Sequence, residues 1–566
     1  MFKKTFLDQI KKRKEKWLEK RYAPAAKKYQ TRKNHFETNA GIKVNPLYTP
    51  DDLEKMRYFE EIGFPGEFPF TRGSYSIGYR ERSWLPHQYC GFGTAEETNA
   101  RLKFALKQGE TGLNVIVDLP TSYHGIDADD PRAEGEVGKT GVSINSIEDM
   151  RDLFEGIPID KISITFNTTG MVMMAMYFAM AQERGIPFKN LWGTVLNNPL
   201  ASYVSCNSAC LPTPKDAIRE LTDFVEFAVQ NLPKWTPFNI GSYEYRENGA
   251  SAIQEMAFMF GNAIAYTDAF ITRGMGFDEF APRYVFYTSV QANLFEEIAK
   301  FRAARRIWGK IARDHYKAKN PVSMIFKIHS QTSGFSMTAQ QPLNNIIRAT
   351  IQSLAAVLGG TNSLYTNAYD EALCLPTEES LRTAMRVQQI IMEESGVTDT
   401  MDPLGGSYYV ETLTNQTAER IWEIIREIDA RGGMVKAVES GWIQSECERS
   451  VAEYLDKVEK GERVVVGYNK YQIDETVRYG VFTVDPRYEL KQRNRLKKLR
   501  DERDHDRVTK ALDRLREAAR GGENMMVPCM EAALARATFG EMTDAIYGQM
   551  RSFRSQFKDL KMRMYS

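Results

Sequence analysis

Short apolar runs alternate with longer amphipathic stretches from about residue 70 onward. Eight runs have the length and the flanking polar, glycine or proline residues of buried parallel strands, and they cover residues 88–92, 113–119, 162–167, 192–196, 238–243, 284–288, 324–329 and 363–367. Helical patterns lie between them, at residues 95–108, 215–230, 251–271, 291–314 and 343–358. This alternation predicts an α/β fold, a (β/α)8 TIM barrel over residues 46–400.

An open, doubly wound sheet is the alternative, because it shows the same alternation of strands and helices. Its nucleotide-binding forms carry a glycine-rich turn after a strand or a phosphate-binding loop. The sequence contains neither G-x-G-x-x-G after a strand nor G-x-x-x-x-G-K-[ST]. This absence counts against the nucleotide-binding forms.

Two further regions flank the predicted barrel. Residues 401–566 are mostly helical in pattern, and residues 1–45 form a basic, helix-prone arm. A nucleic-acid-binding or membrane-binding arm is one reading of this segment. Acidic residues are interspersed among its lysines and arginines, which favours an amphipathic arm that packs on a partner chain.

Charge and composition narrow the class of protein. The 566 residues include 75 basic and 74 acidic side chains, so the net charge is near zero and gives no reason to expect binding to nucleic acid. The longest apolar run, residues 171–181, is too short to span a bilayer and predicts a buried helix instead. The six cysteines are scattered, as in a reduced, cytoplasmic protein. We therefore expect neither a nucleic-acid nor a membrane partner.

Polar side chains collect where the predicted strands end, which is where barrel enzymes carry their function. They are Tyr89, Asp118, Thr121, Asn167, Thr168, Thr169, Asn197, Tyr243, Glu244, His329, Ser330, Gln331 and Asn367. A lone histidine such as His329 is more often structural than catalytic. No G-x-S-x-G elbow supports a hydrolase triad, and no histidine, cysteine or carboxylate cluster has metal-ligand spacing. Composition and pattern alone therefore indicate a cytoplasmic barrel enzyme and do not specify its reaction.

Motifs in fixed order carry the argument further. They are TRGSY (71–75), QYCGF (88–92), DLPT (118–121), DADDP (127–131), HSQTSG (329–334), GGTNSLYTN (359–367), DPLGGS (402–407) and GENMM (522–526). Together they resemble the large, substrate-binding chain of adenosylcobalamin-dependent acyl-CoA mutases of the isobutyryl-CoA and methylmalonyl-CoA type. The resemblance extends over about residues 40–550.

The resemblance implies a radical rearrangement of the carbon skeleton of a CoA thioester. Adenosylcobalamin supplies the radical, and the protein holds the reactants and excludes water. Coenzyme A would pass along the barrel axis. Small or polar side chains would then have to line that axis, unlike the packed interior of an ordinary barrel.

Several residues carry family roles over to this sequence. By resemblance, Tyr89 is the aromatic residue between substrate and cofactor, and Tyr243 is catalytic. Tyr75, Arg82 and Arg283 match positions that contact coenzyme A, and arginine suits phosphate because its planar donors pair with two oxygens. The alternative for the arginines is a surface ion pair, and for Tyr89 a packed core position.

A second set matches positions near the thioester and the adenosyl group. His329 is carried over as catalytic, and Gln331 and Ser363 as substrate-binding. The remaining matches, which would contact the cofactor, are Gly91, Asn367 and Glu371. A carboxylate such as Glu371 suits the two hydroxyls of a ribose because it accepts two hydrogen bonds.

Three departures from the family bear on the acyl group. Cys206 stands where methylmalonyl enzymes hold the substrate carboxylate with arginine, and Leu196 replaces a neighbouring glutamine. An unpaired buried carboxylate is costly, so methylmalonyl-CoA is disfavoured. The 2-hydroxyisobutyryl enzymes have an aspartate where Ile116 stands and an aliphatic residue in place of Tyr89, so that substrate is disfavoured in its known mode. A branched, isobutyryl-like acyl-CoA is expected.

The fourth departure is Glu244, where the family has a histidine that donates to the thioester oxygen. An ionised glutamate cannot donate. Either Glu244 is protonated, as an apolar site favours, or it faces another group such as a substrate hydroxyl. A larger or hydroxylated acyl group is therefore one hypothesis, and a non-catalytic assembly paralogue is the other.

The family also requires a cobalamin-binding domain in which the histidine of a D-x-H-x-x-G motif binds cobalt. This sequence has no such motif. We therefore expect the cobalt to be bound by a separate small subunit. The resemblance implies a heterotetramer of two large and two small chains.

Overall fold

The computed structural model describes residues 2–29, 31, 33, 35–87, 89–107, 110, 112–168, 170–205, 212–474 and 483–548. Within these residues, ten short strands form two parallel sheets of five strands each. The strands are β1 Leu85–His87, β2 Tyr89–Cys90, β3 Gly112–Ile116, β4 Ser163–Asn167, β5 Gly193–Val195, β6 Trp235–Thr236, β7 Asn239–Gly241, β8 Val285–Val290, β9 Ile328–Thr332 and β10 Ser363–Tyr365.

Helices connect the strands and make up most of the remainder. They are α1 Lys4–Trp17, α2 Ala23–Tyr29, α3 Ala95–Lys107, α4 Ile147–Leu153, α5 Met171–Glu183, α6 Pro199–Ser205, α7 Pro214–Asn231, α8 Tyr243–Glu247, α9 Ala252–Thr272, α10 Phe277–Phe280, α11 Leu294–Lys310, α12 Asn344–Leu358, α13 Glu378–Glu393, α14 Tyr408–Ala430, α15 Met434–Glu439, α16 Trp442–Glu459, α17 Arg487–Glu502, α18 His505–Arg520, α19 Met526–Leu534 and α20 Phe539–Tyr547. No helix in these described ranges is both long enough and apolar enough to cross a membrane.

Strand order follows the chain in both sheets, except that β1 lies beside β10. One sheet has the order β2-β3-β4-β5-β6, and the other has the order β7-β8-β9-β10-β1. Each of the eight predicted strand segments overlaps an observed strand, and the α/β class with parallel sheets is confirmed. No strand pairing joins the two sheets within the described residues, so the closed barrel stays a prediction.

Alternation along the strands explains how the sheets bury one face. Val115, Phe166 and Phe286 are fully buried and point toward the surrounding helices, where they join the two large hydrophobic cores. The apolar run predicted as a buried helix forms α5, and all of its residues from Met171 to Ala181 are buried. Such a helix, apolar on every side, belongs in the interior of a large domain.

The helices after residue 401 pack on both cores, and their mostly helical character is confirmed. Helix α14 contacts α9 and α11 on one side of the molecule, whereas α19 contacts α5 on the other. At the opposite terminus, α1 and α2 lie in the predicted arm, and Leu7 is the one residue described as buried in these two helices. Lys14 of this arm pairs with Asp52 at 2.5 Å.

Candidate active site

Two rows of side chains face each other between the sheets. Strand register places one row in neighbouring strands of the first sheet, namely Tyr89, Asn114, Thr165, Thr194 and Thr236. The opposite row consists of Gly241, Tyr287, His329, Ser363 and Leu85. The hydroxyl of Thr194 donates to Asn239 Oδ1 of the other sheet at 3.1 Å. This face is polar where the outer face is apolar, as a ligand channel requires.

The amide of Gln331 holds three tyrosines together at the centre of this face. Its Oε1 accepts from the Tyr89 hydroxyl at 3.1 Å and from the Tyr287 hydroxyl, and its Nε2 donates to the Tyr243 hydroxyl at 2.9 Å. The Tyr243 and Tyr287 rings stack with centroids 5.3 Å apart, and the Tyr89 ring lies 4.2 Å from that of Tyr365. Burial raises the pKa of all four phenols, so they stay neutral hydrogen-bond donors.

His329 and Ser363 adjoin this tyrosine cluster. The His329 Nδ1 lies 2.7 Å from the Ser363 hydroxyl, and the imidazole ring lies 5.1 Å from the Tyr287 ring. Tyr287 was not among the predicted site residues. Its position in a predicted strand, directly after Phe286, would have placed it on the inner face by alternation.

Glu244 lies at the inner face because β7 ends in a glycine. An added Cβ on Gly241 would stand 2.9 Å from Glu244 Oε2, so the carboxyl group occupies the space of the missing side chain. Oε2 is buried, and no hydrogen-bond partner reaches it from the described part of the chain. Burial raises the pKa of Glu244 to about 7, so both the acid and the carboxylate are populated near neutral pH.

Two further carboxyl groups, those of Glu247 and Glu371, lie at the carboxyl ends of the strands. Glu247 accepts from the hydroxyls of Ser289 at 3.0 Å and Ser333 at 2.7 Å, and from the Phe335 amide at 2.6 Å. Burial, with the neighbouring Glu247 as a lesser cause, raises the pKa of Glu371 to about 7. Glu247 is not among the site residues predicted from the sequence, although it lies three residues after Glu244.

Gly334 and Asn367 complete this end of the site. A Cβ on Gly334 would lie 3.3 Å from Glu247, 3.4 Å from Asn367 Nδ2 and 3.6 Å from Glu371. Asn367 Oδ1 accepts from Gln331 at 3.3 Å, but its Nδ2 is buried without a partner among the described residues. The arrangement offers one open donor and two carboxyl acceptors around a glycine.

A cavity of about 310 Å³ opens at the other end of the strands. Tyr75, Arg82 and Ser363 line it together with the first residues of β1, β8 and β9. Arg82 is exposed, and no carboxylate within the described residues pairs with it. Lys327 also lines the cavity and donates to the Pro282 carbonyl at 2.5 Å. The predicted site residues therefore occupy both ends of the strands, and not the carboxyl ends alone.

The remaining predicted residues fall at different places. Ile116 follows Asn114 on the inner face, and Gly91 packs so tightly on it that an added Cβ would stand 2.1 Å from the Ile116 carbonyl oxygen. Leu196 is buried directly after β5. Arg283 is half-buried and donates to the carbonyls of Ala228 and Leu232, at 3.0 and 3.1 Å. Cys206 lies outside the described residues.

No cluster of three or more histidine, cysteine or carboxylate side chains with the geometry of a metal site occurs in the described ranges. Three parts of the site carry polar groups: the cavity lined by Arg82 and Lys327, called the basic cavity, the tyrosine cluster on Gln331, and the carboxyl end around Gly334. Each offers groups for binding, orienting or proton transfer.

The sequence model of the methylmalonyl-CoA mutase family matches residues 37–551. The chain is 41% identical over 514 residues to a probable mitochondrial methylmalonyl-CoA mutase of Caenorhabditis elegans, which covers 90% of the chain and 69% of that protein. It is 38% identical over 550 residues to the 2-hydroxyisobutanoyl-CoA mutase large subunit of Aquincola tertiaricarbonis, with 96% of the chain and 97% of that protein covered. The methylmalonyl-CoA mutase large subunit of Streptomyces virginiae is 40% identical, with 91% and 71% covered.

Proposed function

The chain belongs to the methylmalonyl-CoA mutase family and is an acyl-CoA mutase large subunit, and from this premise we propose that it rearranges the carbon skeleton of a branched acyl-CoA with adenosylcobalamin. The observation that carries the proposal is the polar face between the two sheets, with a basic cavity at one end and the tyrosine cluster further along. Ser363 connects the two, because it lines the cavity and contacts His329, which adjoins the tyrosine cluster.

The two sheets are proposed to be halves of one (β/α)8 barrel over residues 46–400. One residue separates β1 from β2, and two residues separate β6 from β7. At each of these points a single chain segment passes from one sheet to the other, and side-chain hydrogen bonds bridge the sheets near both points. The ring of eight segments would enclose the polar rows, and coenzyme A would run between them.

The basic cavity is proposed to hold the nucleotide end of coenzyme A. Arg82 lines this cavity without a carboxylate partner among the described residues, so its guanidinium can pair with phosphate oxygens. From there, the thioester would pass Ser363 and reach His329. Arg283 is engaged with two backbone carbonyls, so its part in this site would need a second set of hydrogen bonds.

The carboxyl end around Gly334 fits an adenosyl group. Glu371 and Glu247 can accept from ribose hydroxyls, and the open Nδ2 of Asn367 can donate. When bound, adenosylcobalamin supplies the radical that removes a hydrogen atom from the acyl group. The neutral Tyr89 would separate this end from the acyl group, and the closed cluster on Gln331 would hold water out.

The acyl group would lie on the polar face between His329 and Tyr89, and this part of the site is called the acyl end. It is proposed to bind no second carboxylate of the substrate. The inner-face strand residues include no arginine or lysine within the described chain, and Leu196 is apolar. A methylmalonyl group would lack a counter-charge there. A branched acyl group without a second carboxylate is preferred over methylmalonyl-CoA, whereas a hydroxylated group remains compatible.

We propose that cobalamin is carried by a separate small subunit, in a heterotetramer of two large and two small chains. The relative that matches the chain over 97% of its own length is named a large subunit. The exposed face of the N-terminal arm, with Trp17 and Tyr29, is a docking surface for the partner.

The test is reconstitution of the chain with a cobalamin-binding small subunit and adenosylcobalamin. Branched, hydroxylated and dicarboxylic acyl-CoAs are offered, and isomerised products are separated by liquid chromatography and identified by mass spectrometry. Products from branched acyl-CoAs support the proposal. Turnover of methylmalonyl-CoA alone overturns the acyl-pocket argument, and complex formation without any turnover favours the non-catalytic assembly paralogue.

Replacing Arg82 with alanine is expected to weaken the binding of acyl-CoA about tenfold, because a charge-assisted hydrogen bond contributes roughly 1.5–3 kcal/mol. Calorimetric titration with isobutyryl-CoA measures the change. The matched control is Arg80→Ala, since Arg80 is exposed nearby but does not line the cavity. Equal affinities for the two variants would remove Arg82 from the coenzyme A site.

A further inference from the structure

Glu244 is a buried carboxyl group with an open acceptor atom that faces the acyl end of the site. The missing side chain of Gly241 leaves room for it, and Asn198 closes the space behind by donating to the Gly241 carbonyl at 2.8 Å. Oε2 has no hydrogen-bond partner in the described part of the chain. A buried acceptor left unpaired is costly, so it indicates a donor that arrives with a ligand.

The neighbours of Glu244 exclude two classes of occupant. Tyr89, Tyr245 and Tyr287 lie close enough for the Glu244 charge to act on their phenols, but no arginine or lysine of the described residues offsets the burial of the carboxyl group. A substrate carboxylate would meet either the like charge of ionised Glu244 or its uncharged acid form. In both cases no cation would balance the charge of the substrate. A purely aliphatic group would leave Oε2 unpaired.

A second open acceptor lies across the site. Asn114 is the register partner of Tyr89, and its Oδ1 is buried with no partner among the described residues. The acyl end therefore offers two open acceptors, which suits a substrate group that donates a hydrogen bond, such as a hydroxyl.

We propose that the acyl group rearranged by this enzyme carries a hydroxyl group, and that Glu244 is the residue that selects it by accepting its proton in a hydrogen bond. The inference rests on the proposed mutase function. It places the selecting carboxyl group on α8, just after β7, and not at the position on β3 that Ile116 occupies. Glu244 is thus a specificity-determining residue.

The first measurement is the affinity of the purified chain for matched ligands without cofactor. Isobutyryl-CoA and its 2-hydroxy, 3-hydroxy and 3-amino derivatives are each titrated into the protein in a calorimeter, and the affinities are compared. We expect one hydroxylated ligand to bind about tenfold more tightly than isobutyryl-CoA, as for a hydrogen bond to a charged group. Equal or weaker binding of both hydroxylated ligands overturns the inference, and so does stronger binding of the amino derivative.

The second measurement asks whether Glu244 carries the preference. Glu244→Leu is expected to abolish the affinity ratio between the hydroxylated and parent ligands, and Glu244→Gln to retain about a threefold ratio, because a neutral acceptor forms a weaker bond. Glu136→Leu, at an exposed glutamate, should keep the wild-type ratio. A wild-type ratio in the Glu244→Leu variant, or in Glu244→Gln if the leucine variant does not fold, assigns the preference to another residue.

The ligand panel also separates this inference from the proposed function. If no acyl-CoA binds, the proposed mutase function fails. A different outcome is that isobutyryl-CoA binds and is isomerised by the reconstituted enzyme while the hydroxylated ligands bind no more tightly. In that case the proposed mutase function is supported and only the hydroxyl selection is wrong. The ratio of kcat/KM for the same ligand pairs in the reconstituted enzyme should follow the affinity ratio.

Discussion

Replacing Tyr89 with phenylalanine is expected to lower the kcat of the reconstituted enzyme about 100-fold. The ring and its contact with Tyr365 remain, but the hydrogen bond from the hydroxyl to Gln331 Oε1 at 3.1 Å is lost. Without this bond the ring is no longer held in register with Tyr287, and a displacement of about 1 Å can lower a rate roughly 100-fold. Steady-state kinetics with the substrate found in the reconstitution assay measures the change.

The effect of Tyr89→Phe should fall on kcat and leave the KM for acyl-CoA nearly unchanged. The cavity proposed for coenzyme A lies at the other end of the strands, and Tyr89 does not line it. Tyr316→Phe is the matched control, because the Tyr316 hydroxyl also bonds a neighbour, Asp268 at 2.9 Å, but does so on the surface. If both variants retain full kcat, Tyr89 has no role in the reaction beyond packing.

Much of the fold could be predicted because the strands obey a local rule. Phe166 lies between Thr165 and Asn167, and this period of two indicates the buried face of β4 from the sequence alone. The seventh strand was placed four residues too early. Residues Pro321–Met324 form a turn of 3-10 helix after the proline, and β9 begins only at Ile328.

The candidate site was predictable where a family motif named a residue, and less so where distant segments meet. Gln331 was predicted, but its contacts with Tyr287 and Tyr243 join segments 44 and 88 residues away. Nothing in a local pattern specifies such pairs. The open Oε2 of Glu244 likewise depends on the absence of a side chain at Gly241, which only the packed structure reveals.

A buried ion cluster supports the segment that carries Glu244 and Glu247. Lys300 lies 2.9 Å from Glu255, pairs also with Glu297 and donates to the Ser289 carbonyl at 2.6 Å, and all three charged side chains are fully buried. Glu255 in turn accepts from the Ser242 hydroxyl at 3.1 Å and the Ser289 amide at 2.9 Å. Ser242 directly precedes α8, and the Ser289 hydroxyl bonds Glu247.

Lys300→Met is expected to lower the free energy of unfolding by about 3–5 kcal/mol, because removal of one partner leaves buried carboxylates without their counter-charge. Urea denaturation followed by circular dichroism measures this loss. The same substitution at Lys460, whose pair with Asp456 is exposed, should leave the midpoint unchanged. Since Arg246 also pairs with Glu297 at 2.9 Å, a smaller loss would mean that this arginine compensates both carboxylates. A loss as small as that of Lys460→Met would show that the cluster does not hold α8 in place.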